Sequence, residues 1–148
     1  MKALIRVFPL VLVFLFLSAA VGVAAGDKPV SWTSDQMKWV ASPALKGLSV
    51  ATLWGDPHTG AYGALKKVSA GTDIGWHTHS FDQKTVGISG VFDFQVQGGP
   101  KQQLGPGAYS FTPANVVHRS TCRAGADCVY FEEQPGKSDY KPAPAPKM

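Results

Sequence analysis

Short runs of alternating apolar and polar residues dominate the chain from residue 48 onward. Segments such as LSVATLW, YGALKKVS, VFDFQVQ and CVYFEE have the alternation typical of half-buried strands. Turn-forming segments, including GDPHTG, AGTD, QGGPKQQLGPG and PAN, separate them. Because no amphipathic helical pattern lies between these runs, the pattern predicts an all-β fold, an antiparallel β-barrel or jelly roll over residues 48–135. The aromatic residues of these strands are expected to form the core or a pocket wall: Phe92, Phe94, Tyr109 and Phe111.

The first residues of the chain have the pattern of a targeting segment. Residues 1–25 combine Lys2 and Arg6 with an apolar stretch and end in small residues, which is typical of a secretory signal peptide cleaved near Ala25. An uncleaved membrane anchor is the alternative, because residues 7–26 form an uncharged run long enough to span a bilayer. The pattern favours cleavage, a periplasmic or secreted protein, and no stable membrane insertion afterwards.

The segments that flank the predicted barrel lack its pattern of alternating strands. Residues 26–47 have mixed signals and are interpreted as an N-terminal arm with at most a short helix. Residues 136–148 include alternating Pro and Ala, which favours extended chain and offers little to bury. We therefore expect a disordered tail rich in Pro, Ala and Lys.

The charge of the chain argues against nucleic acid as a partner. The sequence has 14 basic and 10 acidic residues. Loss of the signal peptide would leave a net charge of about +2, and the remaining charges are scattered rather than clustered in a stripe. Lys66 and Lys67 form the one adjacent basic pair outside the signal, and we expect them at a solvated strand edge.

The two cysteines lie close together in TCRAGADCVYFEE. The segment between Cys122 and Cys128 is predicted to be a hairpin turn, which would let the two side chains face each other. Disulfides persist in oxidising compartments, so an exported chain favours a structural disulfide here. A redox pair or a pair of metal ligands is the alternative.

Three of the four histidines are candidates for a metal site. His77 and His79 are two apart on a predicted strand, so their side chains share a face. His118 lies on a later strand, which a barrel brings near the same interior point. Three neutral imidazoles would suit Zn, Fe, Ni, Cu or Mn, with positions left for water or substrate. The alternative is that they are hydrogen-bonded polar groups in a barrel mouth, and His58 is expected at the surface in a turn.

The candidate ligands lie within two spaced motifs. In the first, Gly71 precedes His77 by five intervening residues, His79 follows, and Gln83 and Gly90 come after it.

The second motif is shorter and ends at the third histidine. Gly107 is followed after five residues by Pro113, then by Asn115 and, after two more residues, by His118. Together the two motifs resemble those of the cupin family. The cupin motifs have a glutamate ligand where this chain has Gln83 and usually a glycine where it has Asn115.

The resemblance to cupins implies a small β-barrel that holds a divalent metal on His77, His79 and His118, with Gln83 as a weak fourth ligand. A carboxamide cancels none of the metal's charge, so such a site should attract a small anionic ligand. The implied function is a metal-dependent oxygenase of the dioxygenase type. The alternative is a non-catalytic periplasmic cupin that binds or senses a metal or small ligand, similar to the zinc-holding cupin domains of some anti-sigma factors. Small cupins often pair, so a homodimer is expected.

Overall fold

The computed structural model describes residues 28–146, and the expected signal peptide lies outside them. A short 3-10 helix, Ser34–Gln36, is followed by eleven strands within this part of the chain. The strands are β1 (Val40–Ala41), β2 (Leu48–Gly55), β3 (Tyr62–Val68), β4 (Asp73–Thr78), β5 (Gln83–Ser89), β6 (Phe92–Val96), β7 (Lys101–Leu104), β8 (Tyr109–Thr112), β9 (His118–Cys122), β10 (Cys128–Gln134) and β11 (Lys141–Pro142). No helix among the described residues has the length and apolar character needed to cross a membrane.

The strands form two antiparallel sheets. One has six strands in the order β1-β2-β3-β10-β5-β8, and the other has five in the order β11-β4-β9-β6-β7. Consecutive strands such as β3 and β4, or β4 and β5, lie in different sheets, so the chain passes repeatedly between the two layers. This is the jelly-roll arrangement, and the prediction of an all-β antiparallel fold is confirmed.

Alternation along the strands places the core between the sheets. The cluster of buried side chains consists of Leu48, Val68, Ile74, Phe92, Cys122 and Cys128. Strand β3 buries every second residue, including Tyr62, Ala64 and Lys66. Strand β10 does the same with Glu132 and Gln134. The inner faces of these strands are therefore partly polar, which brings charged groups into the barrel.

Lys66 is not at a solvated edge as the sequence suggested. It is 6% exposed, because β3 is an inner strand paired with both β2 and β10. Lys66 is an even number of residues from the buried Tyr62 and Val68, so its side chain faces inward as theirs do. Lys67 faces outward and is half-buried, with its amine 4.7 Å from the centre of the Trp39 ring.

The expected aromatic core is only half correct. Phe92 is buried and Phe94 is half-buried. Tyr109 and Phe111 are 60% and 49% exposed, because β8 is the last strand of its sheet and presents both rings outward. Alternation showed that the two residues share a face but did not show which face.

Three segments predicted to lack strands contain them. The N-terminal arm, expected to have at most a short helix, includes β1, which pairs antiparallel with β2. QGGPKQQLGPG includes β7, because its KQQL portion pairs antiparallel with β6. The expected disordered tail includes β11, which pairs with β4, so that expectation is wrong for residues 138–143. The polar composition of β7 concealed a pairing with the strand directly before it, whereas β11 pairs with a strand far earlier in the chain, which no local pattern shows.

The predicted disulfide is present between Cys122 and Cys128, both of which are fully buried. The cysteines lie at the end of β9 and the start of β10. These strands belong to different sheets, so the bond joins the two layers rather than two paired strands of one sheet.

Candidate metal centre

Three histidines converge where β4 pairs with β9. His77 lies in β4, His79 lies directly after the end of that strand, and His118 begins β9 opposite His77. The three are 4%, 8% and 3% exposed. Their candidate ligand atoms all lie within 4.8 Å of one another. The structure therefore brings together the three histidines that the sequence pattern singled out.

The turn before β9 fixes the position of His118. Asn115 has a φ of 62°, a left-handed conformation that Asn tolerates better than most residues. Its N–H donates to the carbonyl of His79 at 2.8 Å. The N–H of Ala114 donates to the carboxylate of Asp82, also at 2.8 Å. These bonds tie the turn to the β4–β5 loop and hold His118 beside His79.

The Nδ1 atom of each of the three histidines has a hydrogen-bond partner. Each Nδ1 lies against a backbone carbonyl oxygen: that of Gly75 at 2.8 Å for His77, that of Asp139 at 2.5 Å for His79, and that of Val116 at 3.0 Å for His118. A carbonyl oxygen only accepts hydrogen bonds, so each Nδ1 carries the proton. Each Nε2 therefore keeps its lone pair, which is the form of imidazole that binds a metal.

The three imidazoles are also uncharged at neutral pH. Burial, together with the neighbouring His118, lowers the pKa of His77 to about 3. Burial lowers the pKa of His79 to about 4, and it lowers that of His118 as well. A metal would thus meet ligands that need not release protons.

Gln83, the first residue of β5, points into the barrel beside a buried carboxylate. It is 7% exposed, and its Nε2 donates to the carboxylate of Glu132 on β10 at 3.3 Å. Because an ionised carboxylate only accepts hydrogen bonds, the amide nitrogen must face Glu132. The carbonyl oxygen of Gln83 is left as the free atom of the amide, and it is the one that can bind a metal.

Glu132 is held in its ionised form by the groups around it. Its carboxylate accepts hydrogen bonds from Tyr62 at 2.5 Å and Gln134 at 3.1 Å, and it forms an ion pair with Lys66 at 2.5 Å. Burial alone would raise the pKa of this carboxyl, but the Lys66 ammonium and the hydrogen bonds lower it below its usual value. Burial and the nearby Glu132 charge raise the pKa of Tyr62, so its phenol stays protonated and donates.

Sequence reasoning missed both members of this buried ion pair. The available signal was parity: Lys66 and Glu132 occupy the same alternating positions as their buried neighbours Val68 and Cys128. The general tendency of Lys and Glu to be exposed outweighed this signal, because these residues are almost never fully buried unless they are paired.

A cavity of about 290 Å³ adjoins two of the three histidines, His77 and His79. Its wall includes polar side chains from the site, namely His77, His79, Gln83, Lys66 and Glu132. It also includes the hydroxyl-bearing residues Thr85, Ser110 and Ser120. The rest of the wall is largely apolar and includes Leu48, Val50, Ile74, Phe92, Phe94 and Leu104. A small molecule with a polar head and an apolar body fits this lining.

The donor set fits a divalent transition metal. Three neutral imidazoles with free Nε2 atoms are ligands that Zn, Fe, Mn, Ni or Cu accept. His58 is exposed in the turn after β2; it contributes to the cavity wall but is not part of the three-histidine cluster.

One protein-family model matches most of the chain. A family model described as Domain of unknown function (DUF4437) matches residues 22–138. No curated protein sequence matches the chain.

Solved structures with the same fold are distant in sequence. The polyketide cyclase RemF from Streptomyces resistomycificus is 16% identical, with a TM-score of 0.67 over 81% of this chain and 89% of that one. KdgF from a Halomonas species is 18% identical, with a TM-score of 0.59 over 73% and 94%. An RmlC-like cupin from Shewanella frigidimarina is 20% identical, with a TM-score of 0.59 over 74% and 92%. At these identities the similarity shows the cupin fold and nothing finer.

Proposed function

The chain belongs to the family described as Domain of unknown function (DUF4437), and for this member we propose a metal-dependent cupin that acts on a small anionic substrate. One divalent transition metal is held by the Nε2 atoms of His77, His79 and His118. The observation that carries the proposal is the hydrogen bond from each Nδ1 to a backbone carbonyl, which turns three lone pairs toward one point.

The charge of the site favours an anionic ligand. Three neutral imidazoles and the Gln83 carbonyl would cancel none of the 2+ charge of a metal. Glu132 is the buried carboxylate next to Gln83, but the Lys66 ammonium already neutralises it. An anionic head group, such as a carboxylate, enolate or thiolate, would supply the missing negative charge. The apolar part of the cavity wall would accommodate the body of the same molecule.

The chemistry we propose is substrate activation at the metal. When bound, a divalent metal supplies Lewis acidity, or oxygen activation where it is redox-active. The chain's own contribution is to orient three imidazoles, to limit water through the apolar wall, and to hold the Gln83 amide in one orientation through Glu132. One of the solved structures with the same fold is that of a polyketide cyclase, which shows that the fold can carry an enzymatic activity in that protein.

A second candidate function is binding or sensing without turnover. It is favoured by the state of Glu132, whose carboxylate already accepts hydrogen bonds from Tyr62, Gln83 and Gln134 and pairs with Lys66. A carboxylate engaged in this way is poorly placed to take a proton from a substrate.

Reconstitution followed by paired binding and turnover assays separates the two candidates. The metal-free protein is loaded in turn with Fe²⁺, Mn²⁺, Ni²⁺, Cu²⁺ and Zn²⁺, and then given enolate, thiol and diketone substrates under an oxygen electrode. Metal-dependent substrate loss or oxygen consumption supports the enzyme. Calorimetric binding of the same anions without turnover supports the binding protein. Neither binding nor turnover with any loaded metal contradicts both.

Export is proposed from the sequence pattern, and the buried disulfide is consistent with it. Residues 1–25 would be removed, so N-terminal sequencing of protein from a periplasmic or secreted fraction should begin at Gly26. Recovery of the uncleaved chain from the membrane fraction would contradict this proposal.

A homodimer is proposed through the outer face of the six-stranded sheet. Four apolar residues of β5 and β8 are exposed there: Val86, Ile88, Tyr109 and Phe111. An exposed apolar patch of this kind is typical of a protein interface. Light scattering should give twice the chain mass, and Val86→Glu should give the monomer mass. A monomeric wild type would contradict the proposal.

A further inference from the structure

The residues that follow β10 run back beside the candidate metal centre. We call residues 138–143 the C-terminal strap. Its strand β11 pairs antiparallel with β4, and Pro142 lies opposite His77. The N–H of Ala143 then donates to the carbonyl of Trp76 at 2.9 Å. The strap is therefore joined to the strand that carries the first histidine.

Asp139 contacts the second histidine through its main chain. The Nδ1–H of His79 donates to the Asp139 carbonyl at 2.5 Å. The Asp139 carboxylate holds that carbonyl in place, because it accepts hydrogen bonds from the N–H of Ser80 at 2.9 Å and from the Ser80 hydroxyl at 2.5 Å. The Lys141 amine donates to the same hydroxyl at 2.6 Å. This arrangement fixes both the proton position and the ring orientation of His79.

Tyr140 contacts the first histidine through its ring. Its centroid lies 4.9 Å from that of His77, with an angle of 29° between the ring planes. Its hydroxyl donates to the carbonyl of Ile74 at 2.8 Å, on the same strand as His77. The ring therefore covers one face of the imidazole and restricts the directions in which it can turn.

We infer that the C-terminal strap is part of the metal centre, with Asp139 and Tyr140 as positioning residues for His79 and His77. The inference rests on the proposed metal binding. The match to the family model ends at residue 138, so both positioning residues lie beyond the matched region. Two of the three ligands would thus depend on a segment outside the matched region.

The test measures cobalt binding by full-chain variants. Co²⁺ is chosen because its visible absorption reports the geometry of its ligands as well as occupancy. Asp139→Ala, Tyr140→Ala and the double variant are compared with the wild type. Tyr140→Phe keeps the ring, and Lys137→Ala changes an exposed residue beside the strap. Thermal unfolding of each metal-free protein monitors folding separately.

Loss of a group that orients a metal ligand typically weakens metal affinity by about 10- to 100-fold. We expect a loss of this size in the double variant, a changed cobalt spectrum, and smaller losses in the single Ala variants. Lys137→Ala should match the wild type, and Tyr140→Phe should stay within about threefold of it. Nitrogen-15 shifts of His79 in the metal-free protein should show a single Nδ1–H tautomer in the wild type and a mixture in Asp139→Ala.

The outcomes separate this inference from the proposed function. If the wild type binds no cobalt, the proposed metal site fails and the strap inference fails with it. If the wild type binds cobalt and the folded Asp139→Ala and Tyr140→Ala proteins match it in affinity and spectrum, only the strap inference is wrong. If the double variant does not fold, the two single variants and the His79 tautomer decide.

Discussion

Replacing Gln83 with glutamate restores the residue of the cupin motif, yet the structure predicts a penalty in the metal-free protein. The amide nitrogen of Gln83 lies 3.3 Å from the Glu132 carboxylate. A second ionised carboxylate there would repel Glu132 by about 5 kcal/mol at an effective dielectric constant of about 20. It would also remove a hydrogen bond to a charged group, which is worth about 1.5–3 kcal/mol.

Protonation offers the new carboxyl a less costly state. Keeping a proton on a glutamate with an ordinary pKa of about 4.3 costs about 1.4 kcal/mol per pH unit, or about 4 kcal/mol at pH 7. Because this is less than the repulsion, the carboxyl should stay protonated in the folded, metal-free protein and donate to Glu132. Its folded pKa is then raised above the unfolded value, so the native state binds the extra proton and loses stability as pH rises.

The assay is denaturant unfolding of the metal-free wild type and Gln83→Glu at pH 5, 6 and 7. The variant should be less stable by about 1 kcal/mol at pH 5 and by about 4 kcal/mol at pH 7. Gln102→Glu, at an exposed position of β7, is the matched control and should be close to wild type at each pH. A Gln83→Glu penalty that is absent, or equal at pH 5 and pH 7, would refute the placement of Gln83 against an ionised Glu132.

Three further predictions follow from the same geometry. His118→Ala should abolish stoichiometric metal binding measured by elemental analysis, whereas replacement of the exposed His58 should leave it unchanged; equal retention by both variants would remove His118 from the site. Because the pKa values of His77 and His79 are lowered to about 3 and 4 in the fold, the unfolded chain binds more protons below pH 6.5. The metal-free protein should therefore lose about 2 kcal/mol of stability for each of these two histidines between pH 7.5 and pH 5, and denaturant midpoints that stay constant over this range would contradict their burial as neutral groups. Cys122→Ser should lower stability by about 2 kcal/mol through loss of the disulfide constraint while leaving the metal content unchanged, and loss of metal in that variant would place the cysteine near the ligands.

The fold was predictable because its strands obey a local rule. Alternation and turn residues identify most strands from β2 to β10, and the two spaced motifs bring His77, His79 and His118 into one hypothesis. The structure shows how the second motif brings His118 to the other two histidines: the N–H of Asn115, in the turn before β9, donates to the carbonyl of His79. That contact depends on the packing of distant segments, so no local pattern shows it.

The partners of the histidines were not predictable in the same way. Lys66 and Glu132 follow the inward and outward alternation of their strands. The cost of burying either residue depends on the presence of the other, and the two lie on different strands, so no local pattern shows the pair. The strap is harder still, because its sequence, SDYKPA, is mostly polar and has little apolar surface apart from Tyr140. It is ordered by backbone hydrogen bonds to β4 and by the contacts of Asp139 and Tyr140.

The metal content of the full chain, purified without a chelating tag and reconstituted with each candidate ion, tests the central claim most directly. One divalent ion per chain is expected for at least one of these metals, with the His77→Ala variant losing it. Less than about 0.1 ion per chain under every reconstitution would contradict a three-histidine metal centre.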